Sequence, residues 1–488
     1  MRTIITNSAL ALRIRQKPRS ASVYYSYVLL GILFLSLITD WYVSLMLALC
    51  LTVLLSVLDK LGKGIVLREL IAFHSCFVCL FMPWVGYEWY SINNPLAKLW
   101  VRYMPVSSDT YFAFAVPAIA AFVVALCWPI RKRDVDDEGE YIYNYIFRAK
   151  IVLHKSPHVG IYLMIGGVLV SLAANYLPIS LQFVANLIGW SAFAGILYIY
   201  FTPSVPFRKP VLLFFTAFVV FQALRAGMFT IVAYMGITIF SFFFLRRSSS
   251  LWKKLAIFIV AVFTLFLIQT VKSTFRTYTW RENYGGNRAV LFSNLVSDKL
   301  NTFSDLFSVD AIFPIYYRTN QGFNVALVMK KFPEHKDFDY GQNLGLVLAS
   351  SFVPRFLWPD KPEAGGKFNM EYYTGIILKG WSTNVGPLGE AYGSFGVAGG
   401  IFFMLVLGLF IRWAYYLIFK IARNIPLLIF WIPVIFYQVT YSAENDTLQI
   451  LNSLIKAGFL IWVLYKVFPS VFGVGKALKT RTQKLVSA

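Results

Sequence analysis

Charge is scarce in this chain. Asp, Glu, Lys and Arg fill 14% of 488 positions and hydrophobic residues 58%, more apolar surface than a soluble fold of this length can hide. Acid is scarcer than base, with 23 carboxylates against 45 lysines and arginines, so a net charge of +22 needs a cause. Cysteine and histidine number four each. Cys50, Cys76, Cys79 and Cys127 all fall in apolar runs and read as small packing residues. His74 lies near Cys76 and Cys79 without a second ligand pair, while His154, His158 and His335 stand in loops, so no protein-held metal site is expected. The first apolar run follows a basic tail but lacks a small-residue cleavage site before the next, so it reads as a retained helix rather than a signal peptide.

What remains is about twelve apolar segments near the length needed to cross a bilayer. They are Val23–Thr39, Trp41–Leu58, Ile65–Tyr87, Thr110–Ile130, Val159–Leu177, Leu181–Phe201, Val211–Leu224, Ala226–Leu245, Trp252–Val271, Pro387–Ile411, Ile425–Tyr441 and Ile450–Val467. The basic clusters around Arg13–Arg19, Lys60–Arg68, Arg131–Arg133, Arg208–Lys209, Arg246–Lys254, Arg412–Arg423 and Lys476–Lys484 then fall on one side of the count. Short cytoplasmic loops collect Lys and Arg, so both termini are expected to be cytoplasmic and the basic excess is an orientation signal. A nucleic-acid partner is unnecessary to explain it. The organisation is a basic tail (1–22), nine spans (23–271), an outer loop (272–386), three spans (387–467) and a second basic tail (468–488).

The outer loop, roughly 110 residues long, exceeds every other connection and is the expected seat of function. It carries Lys272, Arg276, Arg318, Arg355 and Lys361, and Arg225 opposes the orientation signal at the outer end of the eighth span. Guanidinium forks bind phosphate oxygens bidentately, which suits a lipid pyrophosphate. Tyr317, Trp358 and their aromatic neighbours suit either the interfacial belt or a sugar platform. Gly341–Val353 is apolar but too short to cross and reads as a re-entrant or interfacial helix ended by Pro354. Asn294–Asp310 and Asn320–Lys331 show the periodicity of amphipathic helices lying along the surface. Gly389, Gly393, Gly396 and Gly400 form one stripe for close helix approach, flanked by Glu390 and Tyr392.

The stretch FVPRFLWPDKP (Phe352–Pro362), then Thr383, then GPLGEAYGSFGVAGG (Gly386–Gly400) leading into a span, resembles the bacterial oligosaccharide repeat-unit polymerases, the Wzy-type O-antigen and exopolysaccharide polymerases. LRAGMF (Leu224–Phe229), with its outward arginine, is similar to the same family. Arg225 with Gly236 and Arg355 with Gly366 repeat the arginine-plus-glycine pairing of that family, but about one such pair arises by chance, so the arginines carry the reading. The resemblance implies an all-α, polytopic, membrane glycosyltransferase (GT-C-like) of a bacterial inner membrane. It would transfer glycan without metal or cofactor from one polyprenyl-pyrophosphate carrier, the donor, to a lipid-linked repeat unit, the acceptor, with a chain-length-regulating membrane protein as a further partner.

On that reading Arg225, Arg276, Arg318 and Arg355 supply charge to the leaving pyrophosphate, with Lys361 assisting. Glu390 is the first candidate for the base, Asp310 and Glu444 are reserves, and Trp358, Tyr392 and Tyr317 line the substrate. An O-antigen ligase shares the general plan. A lipid-linked oligosaccharide flippase also favours many spans, yet would show midspan charges and related halves, which this sequence has in short supply.

Overall fold

A backbone in hydrocarbon satisfies its own hydrogen bonds most simply as helix. The computed structural model describes residues 40–127, 138–202, 205, 207–226, 230–247, 249–282, 284–302, 307–353, 357–362, 366–379 and 382–474, with no strand among them. Among the described residues eight helices are long and apolar enough to cross a membrane: α1 (Trp41–Lys60), α2 (Leu67–Trp89), α3 (Ser108–Cys127), α6 (Val184–Phe201), α9 (Leu251–Thr279), α15 (Gly386–Ala422), α16 (Pro426–Glu444) and α17 (Thr447–Val467). A ninth arises if α4 (Gly139–Lys155) and α5 (Val159–Ala173), which meet at 88°, count as one bent span. The expected seventh and eighth spans appear as α7 (Arg208–Ala226) and α8 (Thr230–Phe244), outside that count. The expected first, Val23–Thr39, lies outside the described residues. Large apolar side chains stand exposed along these helices, Leu213, Val260, Phe402 and Trp413 among them. Only 18% of the apolar window of α9 is buried, a surface suited to lipid rather than water. The chain is an all-helical, membrane-associated protein.

The short basic connections gather at one end of the bundle. Gly62 O accepts from Arg246 N and from the Tyr143 hydroxyl, Lys63 O accepts from Gly139 N, and Lys254 Nζ donates to Leu58 O at 2.8 Å. Two buried arginines cap α3 there, Arg68 donating to Leu126 O and Arg412 to Ala125 O, both at 3.4 Å. The last carbonyls of a helix lack internal donors and carry its negative pole, so cations belong at this position.

The long connection between α9 and α15 is built from helices: α10 (Arg288–Asn301), α11 (Val309–Thr319), α12 (Gln321–Lys331), α13 (Gln342–Phe352) and α14 (Lys367–Thr374). α10 buries no residue, as a surface helix should. α12 departs from the surface-lying expectation: Phe323, Val325, Ala326, Val328 and Met329 are buried in the same apolar core as the spans. Gly322 permits this insertion, since a Cβ there would fall 2.2 Å from Pro83 of α2 and 2.4 Å from the Tyr111 hydroxyl of α3. α13 matches the short apolar helix expected at 341–353 and packs on α17.

The glycine repeat of α15 is not one continuous face. Gly396 has φ +65° and breaks the helix, so Gly393 meets Tyr373 of α14, Gly396 meets Phe338 and Gly400 meets Phe114 of α3. The closest backbone approach between α15 and α3 comes lower down, at Gly408, where a Cβ would lie 2.7 Å from Phe122 O. Gly408→Val should therefore separate the two helices and cost about 1–3 kcal/mol. Gly458→Ala, with nothing within 4 Å, should gain about 0.5–1 kcal/mol. Thermal midpoints of the detergent-solubilised protein test the contrast, and equal midpoints for both variants would contradict this packing.

Candidate functional site

Two carboxylates, Glu390 and Glu444, organise the end of the bundle remote from the basic connections. Glu390 sits in the first turns of α15 with no solvent exposure. Its Oε1 accepts from Asn369 Nδ2 of α14 at 2.5 Å, and its Oε2 accepts from both the backbone N–H (3.0 Å) and the hydroxyl of Thr447 at the start of α17. The network extends outward through Asn343 of α13, which donates to Asn369 Oδ1 at 3.2 Å. Asp446 caps α17 by accepting from Gln449 N at 2.5 Å and also accepts from Gly366 N at 3.2 Å. Gln321 and Asn324 of α12 donate to Asn384 O at 2.8 Å each, tying the approach to α15. Tyr373 of α14 donates to Asp339 at 3.4 Å and pairs with Ser394 at 3.0 Å. Burial and the charges of Glu390 and Asp339 push its phenol upward, so it stays a neutral donor.

The glycines of this region have local causes. Gly386 has φ +70°, and a Cβ there would fall 2.4 Å from Ala443 O. Gly366 has φ +89°, with Thr383 O at 2.1 Å from the same position. Only glycine adopts both conformations at such separations. Gly236, its expected counterpart beside Arg225, has nothing within 4 Å.

Three residues before Thr447, Glu444 faces a group of cations. Its Oε2 lies 2.8 Å from Arg318 of α11 and its Oε1 3.2 Å from His74 Nε2 of α2. Lys272 and Arg276, one turn apart on α9, both feel the charge of Arg318, and Lys272 also feels Glu444. Glu444 and His74 are nearly buried, at 12% and 11% side-chain exposure, whereas Arg318 is 52% exposed and forms the accessible rim. Among the described residues, Arg318 and His74 meet this carboxylate directly, while Lys272 lies within its field and Arg276 within that of Arg318. Like charges one turn apart repel, so a fold that assembles them does so at a cost.

α11 is held firmly enough to aim Arg318. Ser308 caps its start through Ala311 N, and the Tyr90 hydroxyl donates to Val309 O at 2.5 Å. Tyr316 stacks on Tyr90 with centroids 4.3 Å apart and donates to Arg102 O at 2.9 Å. Its phenol, pushed up to about 12 by burial, remains a donor. The Tyr316 ring occupies the space that a Cβ at Gly86 would need.

The remaining candidates divide by position. Arg276, Arg318 and the reserve acid Glu444 come together. Glu390 lies in the adjoining network with both oxygens engaged, a holding position rather than an open one. Lys361 donates to Ser350 O (2.9 Å) and Val353 O (2.7 Å), capping the carbonyl end of α13, and Trp358 belongs to the same turn, its carbonyl accepting from Lys361 N. Tyr392 packs edge-on against Phe114 and Phe338. Tyr317 receives a hydrogen bond from Arg102 at 3.0 Å and lies under its guanidinium. Asp310 is exposed in the first turn of α11. Arg355 and the side chain of Arg225 lie outside the described residues. Sequence reasoning passed over His74 as a site residue, and its signal was a polar group inside an apolar run.

The model of a family described as "Domain of unknown function (DUF8712)" matches residues 140–418, more than half of the chain, and the chain belongs to that family. The matched region contains Lys272, Arg276, Arg318 and Glu390, and excludes His74 and Glu444. No curated protein and no solved structure matches the chain.

Because all three contacts to Glu390 come from donors, Glu390→Gln places an amide N–H₂ against a donor and should cost about 1–3 kcal/mol. The thermal midpoint in detergent reads this loss. An unchanged midpoint would show that Glu390 does not hold the turn at Thr447.

Proposed function

We propose that this member of the DUF8712 family polymerises lipid-diphosphate-linked oligosaccharide units, and that the centre around Glu444 is where the carrier's diphosphate is held. The observation that carries the reading is the ion pair of half-exposed Arg318 with Glu444, with Lys272 and Arg276 held within the field of Arg318, beside helices suited to lipid. A diester of diphosphate carries two negative charges, and the three bases with one acid supply two positive ones in excess. The resemblance of Phe352–Pro362 and Gly386–Gly400 to the Wzy-type polymerases gives the same ligand from independent residues.

In the proposed reaction a hydroxyl of the acceptor sugar attacks the anomeric carbon of the donor. The new C–O bond forms as the bond from that carbon to the diphosphate oxygen breaks, and the hydroxyl proton passes to a carboxylate. Charge grows on the departing diphosphate, so basic groups fixed beforehand lower the barrier. Arg318, exposed and aimed by α11, is the principal contact, with Arg276 and Lys272 behind it. Arg225 and Arg355 are assigned to the same task. Glu444, at 12% side-chain exposure beside half-exposed Arg318, takes the base role ahead of Glu390, which has no exposure at all, and Glu390 becomes a positioning residue that holds the turn carrying Glu444.

A flippase for lipid-linked oligosaccharide is the second reading, favoured by one observation: His74 and Glu444 are ionisable groups nearly buried within candidate spans, as transporters require. The surface-glycan ladder and lipid-linked pool of a strain lacking the protein separate the two. Loss of long chains with single units still exported supports polymerisation, whereas units retained on the cytoplasmic face support the flippase. Arg318→Ala should lower chain formation by about 10²–10³-fold at equal protein level, with Arg318→Lys recovering only part because the fork is lost. Wild-type chain length in both Arg318→Ala and Glu444→Gln would remove the centre from the reaction.

A further inference from the structure

At the opposite, basic end of the bundle the surface opens into a pocket of about 250 Å³, lined by Tyr141, Asn144, Tyr145 and Arg148 of α4 and by Arg423 just beyond α15. None of the five is acidic. α4 buries Ile142, Tyr145, Ile146, Ala149 and Leu153 on one face and leaves Tyr141, Asn144 and Arg148 exposed on another. It then turns through 88° into the apolar helix α5. A helix lying across the end of a span occupies the plane where lipid headgroups sit. The Tyr145 hydroxyl donates to Phe419 O at 3.2 Å, fixing α4 to the last turns of α15 and setting Arg148 and Arg423 on the rim of the same cavity.

We propose that this pocket binds the phosphate of an anionic phospholipid from the leaflet at the basic end, with Arg148 and Arg423 as its ligands. The volume suits a headgroup and is small for a drug-sized or nucleotide ligand. Two guanidinium groups and the Tyr141 phenol offer donors to phosphate oxygens and to glycerol hydroxyls, and none of the five described lining residues is a carboxylate. Basic pockets between helices at this level of a membrane protein take anionic headgroups because the ligand is already concentrated at the surface. The site is independent of the centre at Glu444, since it lies at the other end of the bundle.

Native mass spectrometry of the full-length protein, delipidated and titrated with phosphatidylglycerol or phosphatidylcholine, tests the proposal. The wild type should retain phosphatidylglycerol in preference to phosphatidylcholine, and Arg148→Gln with Arg423→Gln should lower that preference about tenfold. The double lysine variant should keep part of it, and Lys253→Gln, which removes an exposed charge at the same end, should leave it unchanged. Equal retention by the double glutamine variant would overturn the site, as would an equal loss in Lys253→Gln, which would mark a diffuse surface attraction. Displacement of the lipid by an equal concentration of inorganic phosphate would overturn the assignment to a membrane lipid.

Discussion

A carboxyl group with no access to water has to find its donors in the protein, and Glu390 finds three. Much of the arrangement around the candidate centre depends on that requirement. Asn369 fixes α14, Thr447 fixes the start of α17, and the chain between Ala443 and Thr447 is drawn against the first turn of α15, where only Gly386 leaves room for Ala443 O. Asp446 of this segment caps α17 and holds Gly366, so a second glycine follows from the same constraint. Unmade bonds of this kind cost far more than made ones contribute, which makes the network an alignment device more than a source of stability.

That alignment carries Glu444 to its place among the cations, and the two acids differ in what surrounds them. Donors without charge enclose Glu390, while Glu444 meets Arg318 directly and stands within the field of Lys272. A packing role would explain the first environment fully. It does not explain the second, because bringing Lys272 and Arg276 toward Arg318 raises the energy of the folded chain. Costs of this sort persist where a ligand or reaction offsets them, and a diphosphate is an anion with the charge to do so.

Legibility in the sequence tracked how local each determinant was. Apolar runs fix the helical class, because length and hydropathy need no knowledge of neighbours, and α13 and the start of α15 followed the same logic. α12 did not: its polar face, Gln321 and Asn324, is buried against Asn384 O rather than turned to water, and an amphipathic pattern cannot distinguish a wet partner from a protein one. Gly396 reads as part of a packing stripe although its positive φ interrupts the helix, a difference invisible in spacing alone. Lys361 and Arg318 are both cations of one loop by sequence. Only the fold separates the lysine that caps the end of α13 from the arginine that faces an acid.

The centre is also assembled from parts that sequence distance conceals. His74 belongs to α2, Lys272 and Arg276 to α9, Arg318 to the long connection and Glu444 to α16. Three of these elements are apolar enough to lie in hydrocarbon, where the surroundings screen charge poorly and each basic group acts on an anion more strongly than it would in water. A loop wholly in solvent could present the same arginines, but water would weaken them and leave them mobile. α11 is drawn against Tyr90 and Gly86 of the α2 region and packs beside α9 with its two cations, so Arg318 is left half-exposed at the rim of the group, where a membrane-anchored ligand of the kind proposed would meet it first.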